Sequence, residues 1–341
     1  MDVDFSFEIG AMPPKDNARF EKFWAEFSKE AAGSQSAKSE ERVSFRKEIS
    51  RDYQAGFDAM ELLHESASEA INWASGVVHD ALEVDDVEDD AFAEYINVLV
   101  GLGGRALLAF DEVAWLLRGG YPYGAWTRVR SLQELFIVAA TLGLYGSPGG
   151  AHPDLVERYL SHHEVFTRTM ADELLATESD GVEETLNGEV LQALARKRAA
   201  LIENYGKTFA GPWGWAAPLF PQSNPTFTAL SKLILPSFNA FYGIASSHLH
   251  ASSQGLIEAA KEAEGGDRYF LVGSQKDGLG AAATLGSGFL IGVLGAIIPT
   301  SMKFPDDPEP NNDGYFFLSA LVRIQEQVRM GMDKSGPQRS E

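Results

Sequence analysis

From Gly278 to Met302 the chain carries no charged residue. A helix of that length and composition has two homes. It can cross a bilayer, whose hydrocarbon core takes about 20 apolar residues. It can also sit at the centre of a bundle, screened on every side by other helices. The run is rich in Gly, Ala, Ser and Thr, lacks aromatic interface anchors and has few flanking Lys or Arg. Membrane spans favour such anchors and flanks. A central core helix is therefore expected, with a membrane-inserting segment as the weaker alternative.

A core helix needs amphipathic neighbours, and the periodicity supplies them. Between about Glu41 and Glu83, Ile49, Tyr53, Phe57, Met60, Leu63, Ala67 and Ile71 recur at spacings of three and four. That pattern is one apolar face of a long helix. Before it, ARFEKFWAEFSKEAA predicts a separate helix, divided from the long one by the polar stretch GSQSAKSE. Further helices are expected near 91–117, ended by Gly119-Gly120, and near 125–144, 153–177, 182–205, 226–263, 278–301 and 315–332. Residues 206–225 are rich in Gly, Pro and aromatics and have no helical period. They are too apolar for a solvated linker, so an ordered loop packed on the bundle is expected. The predicted fold is an all-α multi-helix bundle with that loop near 206–225. The predicted domains are an N-terminal helical extension (1–88), a bundle core (89–303), and a C-terminal helix with a disordered tail (304–341).

Composition narrows the function classes. There is no cysteine, which removes disulfides, thiolate metal sites and cysteine nucleophiles. The first sixteen residues, MDVDFSFEIGAMPPKD, show neither the basic nor the apolar region of a secretory signal, so a cytoplasmic protein is expected. The net charge of −21 opposes the bulk electrostatics of non-specific nucleic-acid binding and suits solubility or a basic partner.

Familiar catalytic signatures are missing. GLGGRALL (101–108) lies inside a helical pattern with no preceding strand, and no Gly-Lys-Ser/Thr stands at the phosphate-loop spacing from it, so close helix–helix approach is the better reading. Glu61 and His64 form one half of a di-iron motif without the second half. The run Asp85–Asp90 lacks the central glycine of a calcium loop. No Gly-x-Ser-x-Gly elbow occurs. No metal and no cofactor are expected.

Two stretches place polar groups on apolar helices. Arg130 and Glu134, four residues apart, share one face of a helix that also carries Leu132, Leu135, Phe136, Val138 and Ala139. Tyr242, Ser246 and His250 form a second stripe at spacings of four. The bland account is a structural clamp between the two stripes; the functional account is a site.

The succession GGYPYGAWTRVRSLQEL, ERYLSHH (157–163), YGKTFAGPWGWA (205–216), Tyr242-x-x-x-Ser246-x-x-x-His250-Ala-Ser, and VGSQKDGL (272–279) resembles the bacterial family called domain of unknown function 5677. The resemblance covers roughly 90–300. It implies an all-helical fold and matches at Arg130, Glu134, Tyr242, Ser246 and His250. The family is loosely similar to the HEPN helical bundles, many of which are metal-independent ribonucleases of toxin and phage-defence systems. Their signature pairs an Arg with a His four to six residues on. Arg158 and His163 satisfy that spacing, with Tyr159 where a polar residue is usual.

Two functional expectations follow. The first is a metal-independent RNA- or nucleotide-acting effector of bacterial toxin or phage-defence type. In it His250 (or His163) is the acid–base, Arg130 (or Arg158) stabilises phosphate charge, and Glu134 orients one of them. Tyr242, Ser246, Trp213 and Trp215 are the expected substrate contacts. The second is a non-enzymatic helical module. Its aromatic loop, with Phe209, Trp213 and Trp215, lines a site for a small ligand or for a partner protein with a basic surface. A homo-oligomer without membrane association is expected.

Overall fold

The structure is a computed structural model. It describes residues 17–84, 90–176, 188–236, 257, 260–262, 268–270, 273–301 and 313–333. Among these are ten α-helices. They are α1 (Asn17–Asp52), α2 (Gln54–Val84), α3 (Asp90–Arg118), α4 (Pro122–Tyr145), α5 (Leu155–Ser161), α6 (His163–Ala176), α7 (Gly188–Tyr205), α8 (Phe227–Ile234), α9 (Leu279–Ser301) and α10 (Asp313–Met332). The all-α bundle expected from periodicity is the observed architecture.

The chain divides into two compact units, Met1–Asp52 and Tyr53–Glu341. In the first, α1 runs without interruption through GSQSAKSE, where sequence predicted a break. One glycine costs a helix only about 1 kcal/mol relative to alanine, and the neighbouring Lys, Glu and Ala favour helix. The interruption falls instead at Tyr53, between α1 and α2.

In the second unit, α9 is the charge-free segment. It is long and apolar enough, by length and composition, to cross a membrane. Here it packs against α2, α3, α4 and α10. Its Leu290, Val293, Leu294, Ile297 and Ile298 are completely buried. The helices α2 and α10, which sequence placed outside the 89–303 core, both pack on α9 and on each other. The glycine-rich stretch of α3 serves close approach, as its sequence implied. A Cβ on Gly103 would lie 2.8 Å from Ile297 Cδ1 and 2.9 Å from Ile71 Cδ1. Glycine lets α3 sit this near α9 and α2 without pushing the two isoleucine tips aside.

The rest of the unit is a smaller layer. The helix expected at 153–177 is α5 and α6, separated at His162, whose backbone stays near-helical (φ −64°, ψ −22°). α6 packs on α7, an amphipathic helix with no fully buried residue. The aromatic loop forms two short 3-10 turns, Lys207–Ala210 and Gly214–Leu219, which pack on α7 and α5 respectively. Phe209, Trp215 and Ala216 are buried, so the loop is ordered and part of the core, as predicted.

The helix predicted over 226–263 is corrected. α8 stops at Ile234 because Leu235 precedes Pro236, and a residue before proline is pushed out of the α region. Leu235 sits at φ −147°, ψ 78°. Further on, Ala260–Glu262 and Arg268–Phe270 pair as a short antiparallel ribbon, β1 and β2, with Lys261 opposite Tyr269. The sequence between them contains Gly265-Gly266, a strong turn pair that periodicity alone overlooked.

Candidate functional site

The bundle and the smaller layer leave a cavity of about 580 Å³ between them. α3 contributes Leu102 and Arg105, and α4 contributes Ser131, Glu134, Leu135 and Val138. Tyr159 and Leu160 of α5, His162, and His163 and Phe166 of α6 form a third wall. Pro212, Trp213 and Trp215 of the loop form the fourth. The volume falls in the range of small-molecule sites, and the mixture of aromatic walls with a few polar groups is their usual chemistry.

The aromatic wall is built by interlocking rings. Trp215 meets Tyr159 edge-on at 5.2 Å between centroids. Trp213 lies 5.5 Å from Phe227 of α8. Phe209 touches both Tyr205, at 4.8 Å, and His162, at 5.1 Å. The turn between the two loop segments depends on Gly214, where a Cβ would collide with the Phe209 carbonyl.

His162 ties this loop to the helical wall. Its Nε2–H donates to the carbonyls of Phe209 (3.1 Å) and Gly211 (2.9 Å). Nε2 therefore carries the hydrogen, and Nδ1 of the neutral ring is an acceptor. Burial holds the His162 pKa below its usual value; the two carbonyls oppose that shift without overcoming it.

Glu134 carries the cavity's carboxylate. Its Oε1 lies 3.3 Å from Nη2 of Arg130, one helical turn away, so the predicted pairing exists. Burial raises the Glu134 pKa, and the Arg130 charge and hydrogen bond pull the other way. Arg130 itself does not line the cavity.

Arg105 carries the positive charge of the cavity lining. Arg118, Arg128, Arg130, Arg158 and Arg168 each face a carboxylate. Arg105 makes no ion pair and no hydrogen bond with any described residue. It lies near Tyr159, whose hydroxyl burial pushes up in pKa and the Arg105 charge pulls down. Arg105, Leu102, Tyr159 and Leu160 also border a second, more open cavity of about 670 Å³ that runs along α3 past Gly101, Val98, Asn97 and Glu94.

The sequence-derived sites separate under this geometry. Glu134, Trp213 and Trp215 come together in the cavity. Phe209 supports it from behind, through its ring and its carbonyl. Tyr242, Ser246 and His250 lie outside the described residues. Arg158 and His163 do not share a task. Arg158 pairs with Asp154 and stacks 4.3 Å over the Tyr205 ring, away from the cavity. The Tyr205 hydroxyl donates to Glu157 at 2.6 Å, and burial with that bond pushes its pKa up to about 12. His163 lines the cavity, its Nδ1 donating to the Leu160 carbonyl at 2.6 Å. Glu61 of the half-motif pairs with Arg118 across α2 and α3.

Sequence reasoning missed His162 and Arg105. His162 stands beside the His163 that a spacing rule selects, and nothing in the sequence marks which of two adjacent histidines turns inward. Arg105 sits in the glycine-rich stretch dismissed as packing, and only the third dimension shows that it has no carboxylate opposite.

A family model described as a family of unknown function, DUF5677, matches residues 96–267, just over half of the chain. The chain belongs to this family. Every residue that lines the first cavity falls inside the DUF5677 match. The helices α1, α2, α9 and α10 fall outside it. No curated protein and no solved structure matches the chain.

Proposed function

We propose that this chain is a small-ligand-binding helical module whose ligand occupies the cavity walled by α3, α4, α5–α6 and the aromatic loop. The observation that supports this reading most is the loop itself. It buries Phe209 and Trp215 in the core yet leaves Trp213 and a face of Trp215 on a cavity of about 580 Å³. A well-packed corner would fill that space, because interiors pack nearly without voids. Flat rings are the natural occupants, since aromatic pairs gain roughly 0.5–1.5 kcal/mol beyond their buried area.

Calorimetric titration with indole, a neutral flat probe, tests the reading. Saturable one-site binding is expected, weakened roughly threefold to tenfold by Trp213→Leu and unchanged by Arg128→Gln, whose guanidinium faces Glu112 elsewhere. Absence of saturable binding, or identical binding to Trp213→Leu, overturns it.

A second reading keeps the RNA- or nucleotide-acting effector of toxin or phage-defence type. Its supporting observation is that His162, neutral with an acceptor Nδ1, shares the cavity with the Glu134 carboxylate. An imidazole held below its usual pKa and a carboxyl group held above it are the two partners an acid–base couple needs. Purified protein should then degrade total RNA or a nucleotide, and His162→Gln or His250→Ala should not. Equal inertness of all three proteins removes this reading.

A further inference from the structure

We propose that the ligand is an anion: a flat ring carrying one compact oxyanion, with the ring against Trp213 and Trp215 and the oxyanion on Arg105. The inference rests on the small-ligand reading and names the chemistry of the same cavity.

The argument starts from charge. Arg105 is the only Arg or Lys among the described residues that line the aromatic cavity. Six other arginines of the same unit have carboxylate partners; Arg105, like Arg196, Arg198 and Arg323, has none among the described residues, and of these four it alone borders the aromatic cavity. Its position is equally specific. It stands where the aromatic cavity meets the open groove along α3, on the rim of both. The carboxylates that line the two cavities do not neutralise it. Glu134 is turned to Arg130 at 3.3 Å. Glu94 lies three turns back on α3, about 16 Å away along the helix axis. Its neighbour Tyr159 offers a hydroxyl that can donate to the same oxyanion.

The ring and the charge therefore have separate places. An aromatic wall holds the first, and a guanidinium that can donate in a fork holds the second. Glu134 inside the cavity repels an oxyanion placed deep, so the anionic end must face outward, towards Arg105 and the groove. A carboxylate and a phosphate monoester share this chemistry, and the test separates them.

Three probes with one ring suffice: indole, indole-3-acetate and indoxyl phosphate, each titrated into wild type, Arg105→Gln and Arg128→Gln. Wild type should bind at least one anion about tenfold or more tightly than indole, the size expected for one charge-assisted hydrogen bond. Arg105→Gln should abolish that preference while leaving indole affinity unchanged. Arg128→Gln should keep it. The tighter of the two anions identifies the carboxylate or the phosphate as the source. If indole binds and neither anion is preferred, or if the preference survives Arg105→Gln, this inference falls and the small-ligand reading stands. If no probe binds, both fall.

Discussion

The two sides of α4 are packed to opposite standards. On one side α9 presses Gly292 and its neighbours against α4, with Phe136 and Phe289 stacked at 6.2 Å. On the other side Glu134, Leu135 and Val138 face a cavity of about 580 Å³. One helix, built from one kind of residue, serves as core on one face and as a wall on the other. The difference lies in what is opposite. A charge-free helix of small residues can approach until no space remains. A loop with two 3-10 turns cannot interdigitate with a helix in the same way, and it leaves a gap that its own rings only line. Stability should therefore reside on the α9 side and binding on the loop side, and substitutions on the two sides should separate these properties.

The largest effect is expected in the core. Leu294 is completely buried on α9, and Leu294→Ala should cost roughly 2–5 kcal/mol in urea unfolding, as buried leucine truncations do. A loss below about 1 kcal/mol would mean that the α9 side is not close-packed. Next comes Gly214→Ala, which drives a methyl group into the Phe209 carbonyl. Overpacking of this kind costs about 1–3 kcal/mol. It should weaken indole binding as well, since the loop must shift. Unchanged affinity would uncouple the loop from the site.

A smaller, pH-dependent effect belongs to His162. Its folded pKa lies below the ordinary 6.5, so the stability it contributes is present above pH 6.5 and is lost as the pH falls through the folded value. The melting temperature of wild type should drop on acidification from pH 6.5. The difference between wild type and His162→Gln should shrink over the same window. At neutral pH that variant should cost about 1 kcal/mol, the usual worth of one hydrogen bond. The smallest effect is expected at Glu112→Gln. It removes a half-exposed pair with Arg128 at 2.8 Å and should change stability by less than about 1 kcal/mol.

Periodicity revealed the helices because a bundle core imposes its spacing on sequence. Gly278–Met302 reads as a central helix, and Phe57 to Ile71 as one face of α2, for that reason alone; the break at Tyr53 left the spacing intact and so went unread. The signal failed where local chemistry outweighs spacing: at Pro236, which stops α8, and at GSQSAKSE, which a solvated helix tolerates. The site was legible only in part. Glu134, Trp213 and Trp215 stood out as a charge or as large rings in unusual settings. His162 and Arg105 did not, because their meaning is relational. One matters for the two carbonyls across from it, forty-seven and forty-nine residues away, and the other for the absence of a carboxylate.

The imidazole of His162 also bears on how firmly one wall of the cavity is held. Among the described residues, the loop 207–219 has no continuous ladder of backbone bonds to the helices it covers. Its attachment to the described helices is local: one ring nitrogen shared by two carbonyls, and a few aromatic contacts. Segments held by few bonds open at lower free energy than the bundle unfolds. The amides of Gly211, Gly214 and Ala216 should thus exchange with deuterium earlier than those of α9, and faster still once acid protonates His162. The wall that shapes the cavity is then also its least firmly held side, and the histidine is its tie to the helices.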